Sequence, residues 1–211
     1  MNRLSKRLKV LASFINKEDS LVDVGCDHGY LGIYLKENNL CKNVICSDVN
    51  QNALNSAINN IKNSKVKIEC YLSDGIVDVP MDGINTILIA GMGTSTIISI
   101  LKDNSKLKYV KKIILQTNNN YEELRRFMNS INYYLEKEEY VYDKGKWYIM
   151  MEYSISNKLN TEEELKYGYI SKDYAIYLID NYKKICNRIP KGNKDYNKYE
   201  DLIKEIETMI K

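Results

Sequence analysis

The feature that most constrains this chain is its rhythm. Short apolar runs near residues 21–25, 43–48, 67–72, 84–90 and 111–117 alternate with segments of helical spacing near 30–38, 50–63, 94–102 and 120–131. Parallel strands need a crossover long enough to hold a helix, so this alternation predicts a parallel sheet covered by helices on both faces. The rhythm then changes. YYLEKEEYVYD and KWYIMMEYSI are two β-rich runs joined at Asp143-Lys144-Gly145, a hairpin turn signal. From Asn157 onward apolar residues recur at three- and four-residue steps, broken at Ile189-Pro190-Lys191-Gly192, which predicts two antiparallel helices in a short coiled-coil hairpin.

At 211 residues the chain holds one well-filled α/β domain, expected over 1–156, and a smaller helical appendage over 157–211. Hydrophobic content of 44% and charged content of 28% belong to a globular protein. No apolar run approaches the roughly 18 residues of a membrane helix, and the basic N-terminus has no cleavage signal, so a cytoplasmic protein without a membrane partner is expected. Five cysteines without a C-x-x-C pair read as reduced thiols, and a single histidine leaves the usual zinc chemistry short of ligands, so no metal is expected. The net charge of +3 permits an RNA partner without requiring one. Residues 1–17 read as a helix with Leu4, Leu8 and Leu11 on one side, and its charges Arg3, Lys6, Arg7, Lys9 and Lys17 are all positive. They form either a solvated face or a phosphate-contacting edge. The tail from 156 carries eleven basic and ten acidic residues, a balance that favours a solvated face over a nucleic-acid patch and leaves a packing or dimer-forming appendage and an RNA-clamping arm equally open.

The first apolar run leads into DVGCDHGYLG, Asp23 to Gly32, a strand, glycine turn and helix start. Gly25 permits the turn, Gly29 is expected to admit a ligand close to backbone, and the new helix offers unpaired N–H groups. The spacing departs from the dinucleotide fingerprint at Asp27, where a carboxylate replaces the glycine that lets a pyrophosphate approach. Such a turn suits a cationic ligand. Asp48 ends the second run nineteen residues after Gly29, near the offset at which an acid meets ribose hydroxyls. A nucleoside whose other end is not a diphosphate fits both, and S-adenosyl-L-methionine is the commonest cofactor of that description. Asp23, Gly25, Cys26, Asp27, His28 and Tyr30 are the candidates for its methionine side, and Asp48 with Val49 for its ribose.

Ser73-Asp74-Gly75 follows the third run, at the sheet edge where ligands of such folds bind; Asp74 is placed to accept from an adenine amino group, or to cap a turn. The fourth run enters Gly91-Met92-Gly93, which brings backbone close to the reacting centre, with Thr94 or Ser95 available to cap the next helix. The fifth ends Gln116-Thr117-Asn118-Asn119-Asn120; amides there serve equally as readers of a base edge and as loop or N-cap residues.

Five parallel strands ending in an antiparallel hairpin resemble the class I (Rossmann-like) methyltransferases, with a mostly parallel seven-stranded sheet. DVGCDHGYLG, SDG, the strand into GMG, and Gln116-x-Asn118 together resemble the TrmK family of bacterial tRNA adenine-N1 methyltransferases, which act on adenine 22 in the D-arm region. LSKRL at the start and Lys166-Tyr167-Gly168 before the hairpin are similar to that family too. Three positions differ: Gly32 and Thr117 stand where the family has proline, and Thr94 where it has a glycine after GMG.

The resemblance implies transfer of a methyl group from S-adenosyl-L-methionine to tRNA, with Gly91, Met92, Gly93, Gln116 and Asn118 positioning the target base. Adenine N1 carries an in-plane lone pair, so alignment matters more than a general base, and none is assigned. His28 lines the pocket, braces the loop or is purely structural. Tyr30, Met92 and Tyr121 are placed to stack a base, in a chain with eighteen tyrosines. Rival readings are a methyltransferase for another RNA position or a small molecule, a nicotinamide oxidoreductase, against which Asp27 argues, and a non-catalytic RNA-binding or dimerisation module.

Overall fold

The computed structural model describes residues 4–211, so Arg3 of the basic N-terminal set lies outside the described residues. The first helix, α1, covers Lys6–Ser13 and is shorter than the 1–17 reading: Ser5 caps it by accepting from the Leu8 N–H, and Leu11 and Ala12 are buried. The alternating pattern resolves into β1 Ser20–Val24, α2 Tyr30–Glu37, β2 Asn43–Asp48, α3 Gln51–Lys62, β3 Glu69–Leu72, β4 Thr86–Met92, α4 Thr94–Leu101, β5 Lys112–Thr117 and α5 Tyr121–Ser130. A single 3-10 turn at Asn104–Leu107 carries no signature in the apolar pattern. The last two strands are β6 Tyr133–Asp143 and β7 Lys146–Ile155.

All seven strands form one sheet in the order β3-β2-β1-β4-β5-β7-β6. β1 to β5 pair in parallel, whereas β7 inserts antiparallel between β5 and β6. The apolar runs are continuous because these strands are covered on both faces: Ile87, Ile89, Ile113, Ile114 and Leu115 are all fully buried. The strand order reverses direction on either side of β1 and β4, and the carboxyl ends of these two strands open the crevice in which ligands of doubly wound sheets sit. Contrary to the 84–90 reading, β4 continues through Gly91 to Met92, with an irregularity in register between Ala90 and Met92 where Gly91 takes φ 86°. A positive φ costs glycine little, so the strand kinks at its end without strain.

The segment 161–189 forms two helices, not one. Thr161 and Glu164 build a capping box for α6, Glu162–Tyr167, which ends at Gly168 with φ 66°. The break has a cause below it. Arg125 of α5 and Glu138 of β6 form a fully buried ion pair (2.8 Å), Tyr140 donates to Glu138 (2.8 Å), and the Arg125 guanidinium donates to the Lys166 carbonyl (3.3 Å). A Cβ at Gly168 would collide with both the Glu138 carboxylate and the Arg125 guanidinium. Residues through Gly168 form one compact unit and Tyr169–Lys211 another. The second unit is an antiparallel hairpin of α7, Lys172–Cys186, and α8, Lys194–Met209, joined by Tyr182 against Tyr199 (5.3 Å) and a Lys183–Glu207 ion pair (3.2 Å), so residues 157–168, read as part of the appendage, group with the first unit. Among the described residues no helix is long and apolar enough to cross a membrane.

Candidate functional site

The loop after β1 is built from backbone that points inward. Gly25, Asp27 and Gly29 all have positive φ (73°, 52° and 68°), which folds the chain tightly enough for Gly25 and Cys26 to donate to the Ser47 carbonyl of β2 (2.8 and 3.0 Å). Asp48 then clamps two loops at once. Its Oδ2 accepts from the Asp27 N–H (3.1 Å) and its Oδ1 from the Asn50 N–H (2.9 Å). A Cβ at Gly25 would strike the Met92 methyl at the end of β4, a flexible tip, and the φ of 73° is what disfavours a side chain there. Gly29 differs from its expected role: a Cβ would meet Ala57 of α3 at 3.2 Å, so this glycine serves the packing of α2 on α3. Cys26 likewise sends its thiol into a small core with Cys46, Leu54 and Ala57.

An open cleft with a cavity of about 90 Å³ lies above this loop, lined by Arg7, Asp23, Gly25, Cys26, Asp27, His28 and Tyr30 among others. Two carboxylates sit near its floor, Asp23 (5% exposed) and Asp48 (8% exposed). Burial, and next the neighbouring Asp48 charge, push the Asp23 carboxyl up from its ordinary 3.8 to about 7. Asp27 and the half-exposed His28 stand at the rim, 3.6 Å apart, with the His28 ring tilted against Tyr30 (5.4 Å). Arg7 is a contributor that helix periodicity alone did not reveal. Its guanidinium turns inward, donating to Gln116 Oε1 (3.1 Å) and lying over the Tyr148 ring (5.2 Å).

Along the same sheet edge, Val49 is 69% exposed and Leu72, the register partner of Asp48, is 49% exposed, leaving apolar surface beside the acid. Ser73 spends its hydroxyl on the Asp78 N–H (3.0 Å) and its N–H on the Asp48 carbonyl (3.0 Å), which fixes the loop. Gly75 packs under Ile100 (2.8 Å from a Cβ) and accepts from the Ser47 hydroxyl (3.2 Å). Asp74, between them, is exposed.

The amides after β5 divide their work. Gln116 is fully buried: it accepts from Arg7, and donates to the Thr117 carbonyl (2.7 Å) and to Asn118 Oδ1 (3.3 Å). It therefore braces Asn118 and has no edge to offer a base. Asn118 is exposed, with its Nδ2 on the Gly91 carbonyl (2.8 Å) and its N–H on the Met92 carbonyl (2.9 Å), so the Gly91-Met92-Gly93 turn and the end of β5 form one rim. Gly93 is the cap of α4, and Asn119 Oδ1 takes the Thr94 N–H (3.0 Å), a reach across loops that no local capping pattern contains. Tyr121 opens α5 after Asn120.

The methyltransferase domain family model matches residues 4–151. The tRNA (adenine(22)-N(1))-methyltransferase of Bacillus subtilis is 30% identical over 149 residues, 69% of this chain and 63% of that protein, so the chain spans less than two thirds of this curated relative. A Streptococcus pneumoniae structure in complex with S-adenosyl-L-methionine superposes with a TM-score of 0.85 at 28% identity, covering 99% of this chain and 100% of the other. The structure of M. capricolum TrmK with S-adenosyl-homocysteine superposes with a TM-score of 0.83 at 31% identity over 98% of this chain and 97% of its own. The chain belongs to the TrmK family.

Two of the three positions at which this chain differs from the TrmK pattern touch each other. The Thr94 and Thr117 hydroxyls lie 2.9 Å apart, both side chains are buried, and Thr94 donates to the Asn119 carbonyl (2.6 Å). In place of the family's glycine and proline, a hydroxyl bridge links the start of α4 to the end of β5. The third, Gly32, faces inward: a Cβ would come within 3.2 Å of the Cys46 sulfur.

Proposed function

We propose that this protein is a cytoplasmic S-adenosyl-L-methionine-dependent methyltransferase that methylates N1 of adenine 22 in tRNA. The observation that carries the reading is a charge deficit in the cleft. Asp23 and Asp27 line it with Asp48 bonded to the Asp27 N–H, Arg7 is the one guanidinium or ammonium among its described lining residues, and the Asp23 carboxyl rises to about 7 because burial and the Asp48 charge disfavour its ionised form. A ligand with a sulfonium and an ammonium supplies what the site lacks, and a diphosphate would worsen it. The remaining surfaces fit the same ligand: Asp48 for ribose hydroxyls, exposed Val49 and Leu72 for the flat face of adenine, and Asp74 for its amino group.

When bound, the cofactor presents an activated methyl group for in-line displacement by adenine N1. The chain's own residues then need only hold the two partners in line. Arg7 and Gln116 fix Asn118, an exposed amide at the rim placed to meet the edge of an adenine. The Gly91 backbone and the Met92 side chain close over the loop between the two ligands. No proton leaves N1 before transfer, so no side chain here acts as a base. Adenine N1 is hidden in a base pair, so the target must be unpaired or turned out of the stack.

The test is methyl transfer from S-adenosyl-L-methionine to an unmodified tRNA transcript, followed by mass-spectrometric mapping of the nuclease digest. One 1-methyladenine at position 22, absent when that position is guanine, is the expected result. A methyl group elsewhere, or on no RNA, overturns it.

A further inference from the structure

The β6–β7 hairpin does more than close the sheet. Register pairs Leu115 of β5 with Met151 of β7, so β7 continues past the last residue of β5, Thr117, and its first residues extend on the order of 10 Å beyond the sheet edge at about 3.3 Å per residue. That is the edge carrying Asn118 and the Gly91–Gly93 turn. Strand alternation gives the protruding tip two different faces. On one, Val141 and Tyr148, register partners, pack against the core cluster that includes Leu11 and Phe14. On the other, the partners Tyr142 and Trp147 bring their rings to 5.4 Å, with Tyr142 53% exposed. Positive charge lies on the Tyr148 face and at the turn, across the ribbon from this pair. Lys146 and Arg7 both lie over the Tyr148 ring (5.4 and 5.2 Å), Lys144 is exposed at the turn, and Lys6 is exposed on the neighbouring helix. Asp143 is the one carboxylate of the turn, and its Oδ2 sits 3.5 Å from the Arg7 backbone N–H. Among the described residues neither Lys144, Lys146 nor Lys6 is held in an ion pair.

Building on the tRNA methyltransferase reading, we propose that this tip is the docking surface for the RNA strand that flanks the target adenine. Lys144, Lys146 and Lys6 contact its phosphates, and the Tyr142–Trp147 pair supports an unstacked neighbouring base. A flat aromatic pair on one face of the tip, with lysines at its turn and on its other face, offers the two elements of single-strand RNA binding: every base has a face to stack, and every phosphate is an anion.

Trp147 is the chain's single tryptophan, so its emission reports on this tip. The experiment titrates unmodified tRNA transcript into the full-length protein saturated with S-adenosylhomocysteine, reading Trp147 fluorescence between 50 and 200 mM salt. Wild type and the double variant Lys144→Ala/Lys146→Ala are compared, with thermal midpoint and cofactor affinity measured in parallel. Each phosphate contact contributes a slope of about −0.7 to −0.9 in log K against log salt, so removing two lowers the affinity lost across this fourfold salt range by about 7- to 12-fold. tRNA is expected to quench Trp147, and the double variant to bind tRNA more weakly at 50 mM with that shallower slope. Midpoint and cofactor affinity are expected to stay at wild-type values. Trp147 emission indifferent to tRNA, or wild-type affinity and slope in the variant, while wild type still methylates the tRNA, overturns the docking surface alone. Failure of wild type to methylate tRNA overturns the reading beneath it.

Discussion

Asp23 offers the sharpest test of the cleft's electrostatics. Its carboxyl is raised from 3.8 to about 7 by burial and by Asp48, so at neutral pH it is about half protonated while the cleft is empty of cations. A cationic nucleoside beside it stabilises the ionised form, which makes ligand binding and proton release the same event. Between pH 6 and pH 8 the ionised fraction of a group titrating at 7 climbs from about one tenth to about nine tenths, so with a neutral form that binds about tenfold more weakly S-adenosyl-L-methionine affinity should rise about fivefold and then level off. Asp23→Asn removes the titration while keeping the shape. The variant should bind within about twofold of wild type at pH 6, and about tenfold more weakly at pH 8. Calorimetry in two buffers of different ionisation enthalpy reads the released proton, and the same measurement on the Asp23→Asn variant corrects for any titration of the ligand itself.

The stability of the protein without cofactor should move the opposite way. A carboxyl whose folded pKa exceeds its unfolded one favours the folded state fully below 3.8, and that contribution is lost as pH rises through about 7. A shift of this size corresponds to about 4 kcal/mol as an upper bound. Asp23→Asn should therefore raise the thermal midpoint at pH 8 and leave it nearly unchanged at pH 4. Parallel pH profiles for wild type and variant, in binding and in melting, would refute the account.

Asp48→Asn puts a donor against the Asp27 or Asn50 N–H, and should weaken S-adenosyl-L-methionine binding about tenfold by equilibrium titration, the scale of one charged hydrogen bond. Asn118→Ala should lower kcat by about one to two orders of magnitude with the KM for cofactor unchanged, because it removes alignment and spares the nucleoside cleft. Gln116→Ala should produce a smaller fall in kcat of the same kind, since its amide acts through Asn118. Gly168→Ala drives a methyl group into the buried Arg125–Glu138 pair; a loss of about 3 kcal/mol or more, seen as a fall of about 10 °C in thermal midpoint, is expected.

The sheet was legible because buried parallel strands need uninterrupted apolar runs, and Val44–Cys46 or Ile87–Ile89 cannot be anything else at that length. The loop was legible because Gly25, Asp27 and Asp48 each meet a local demand: a positive φ, a backbone N–H to place, a carboxylate at a strand end. What stayed hidden was contact between residues far apart in the chain. Gly29 looked like a ligand's neighbour and turned out to be Ala57's, and Gln116 looked like a reader of bases and turned out to be fully enclosed by Arg7, Thr117 and Asn118. Arg7 sat in a row of cations with nothing to mark it as the one that folds inward. The break at Gly168 follows from an ion pair formed by Arg125 and Glu138, residues 43 and 30 positions earlier, which no helical period encodes.

The linked hydroxyls of Thr94 and Thr117 bear on ancestry. Each alcohol has a backbone acceptor of its own, the Asn119 carbonyl for Thr94 and the Met92 and Asn119 carbonyls for Thr117, so a chain carrying glycine at 94 or proline at 117 would lose the bridge without leaving the other hydroxyl unpartnered. The two exchanges are therefore separable, and chains that carry one threonine without its mate should be found among living relatives.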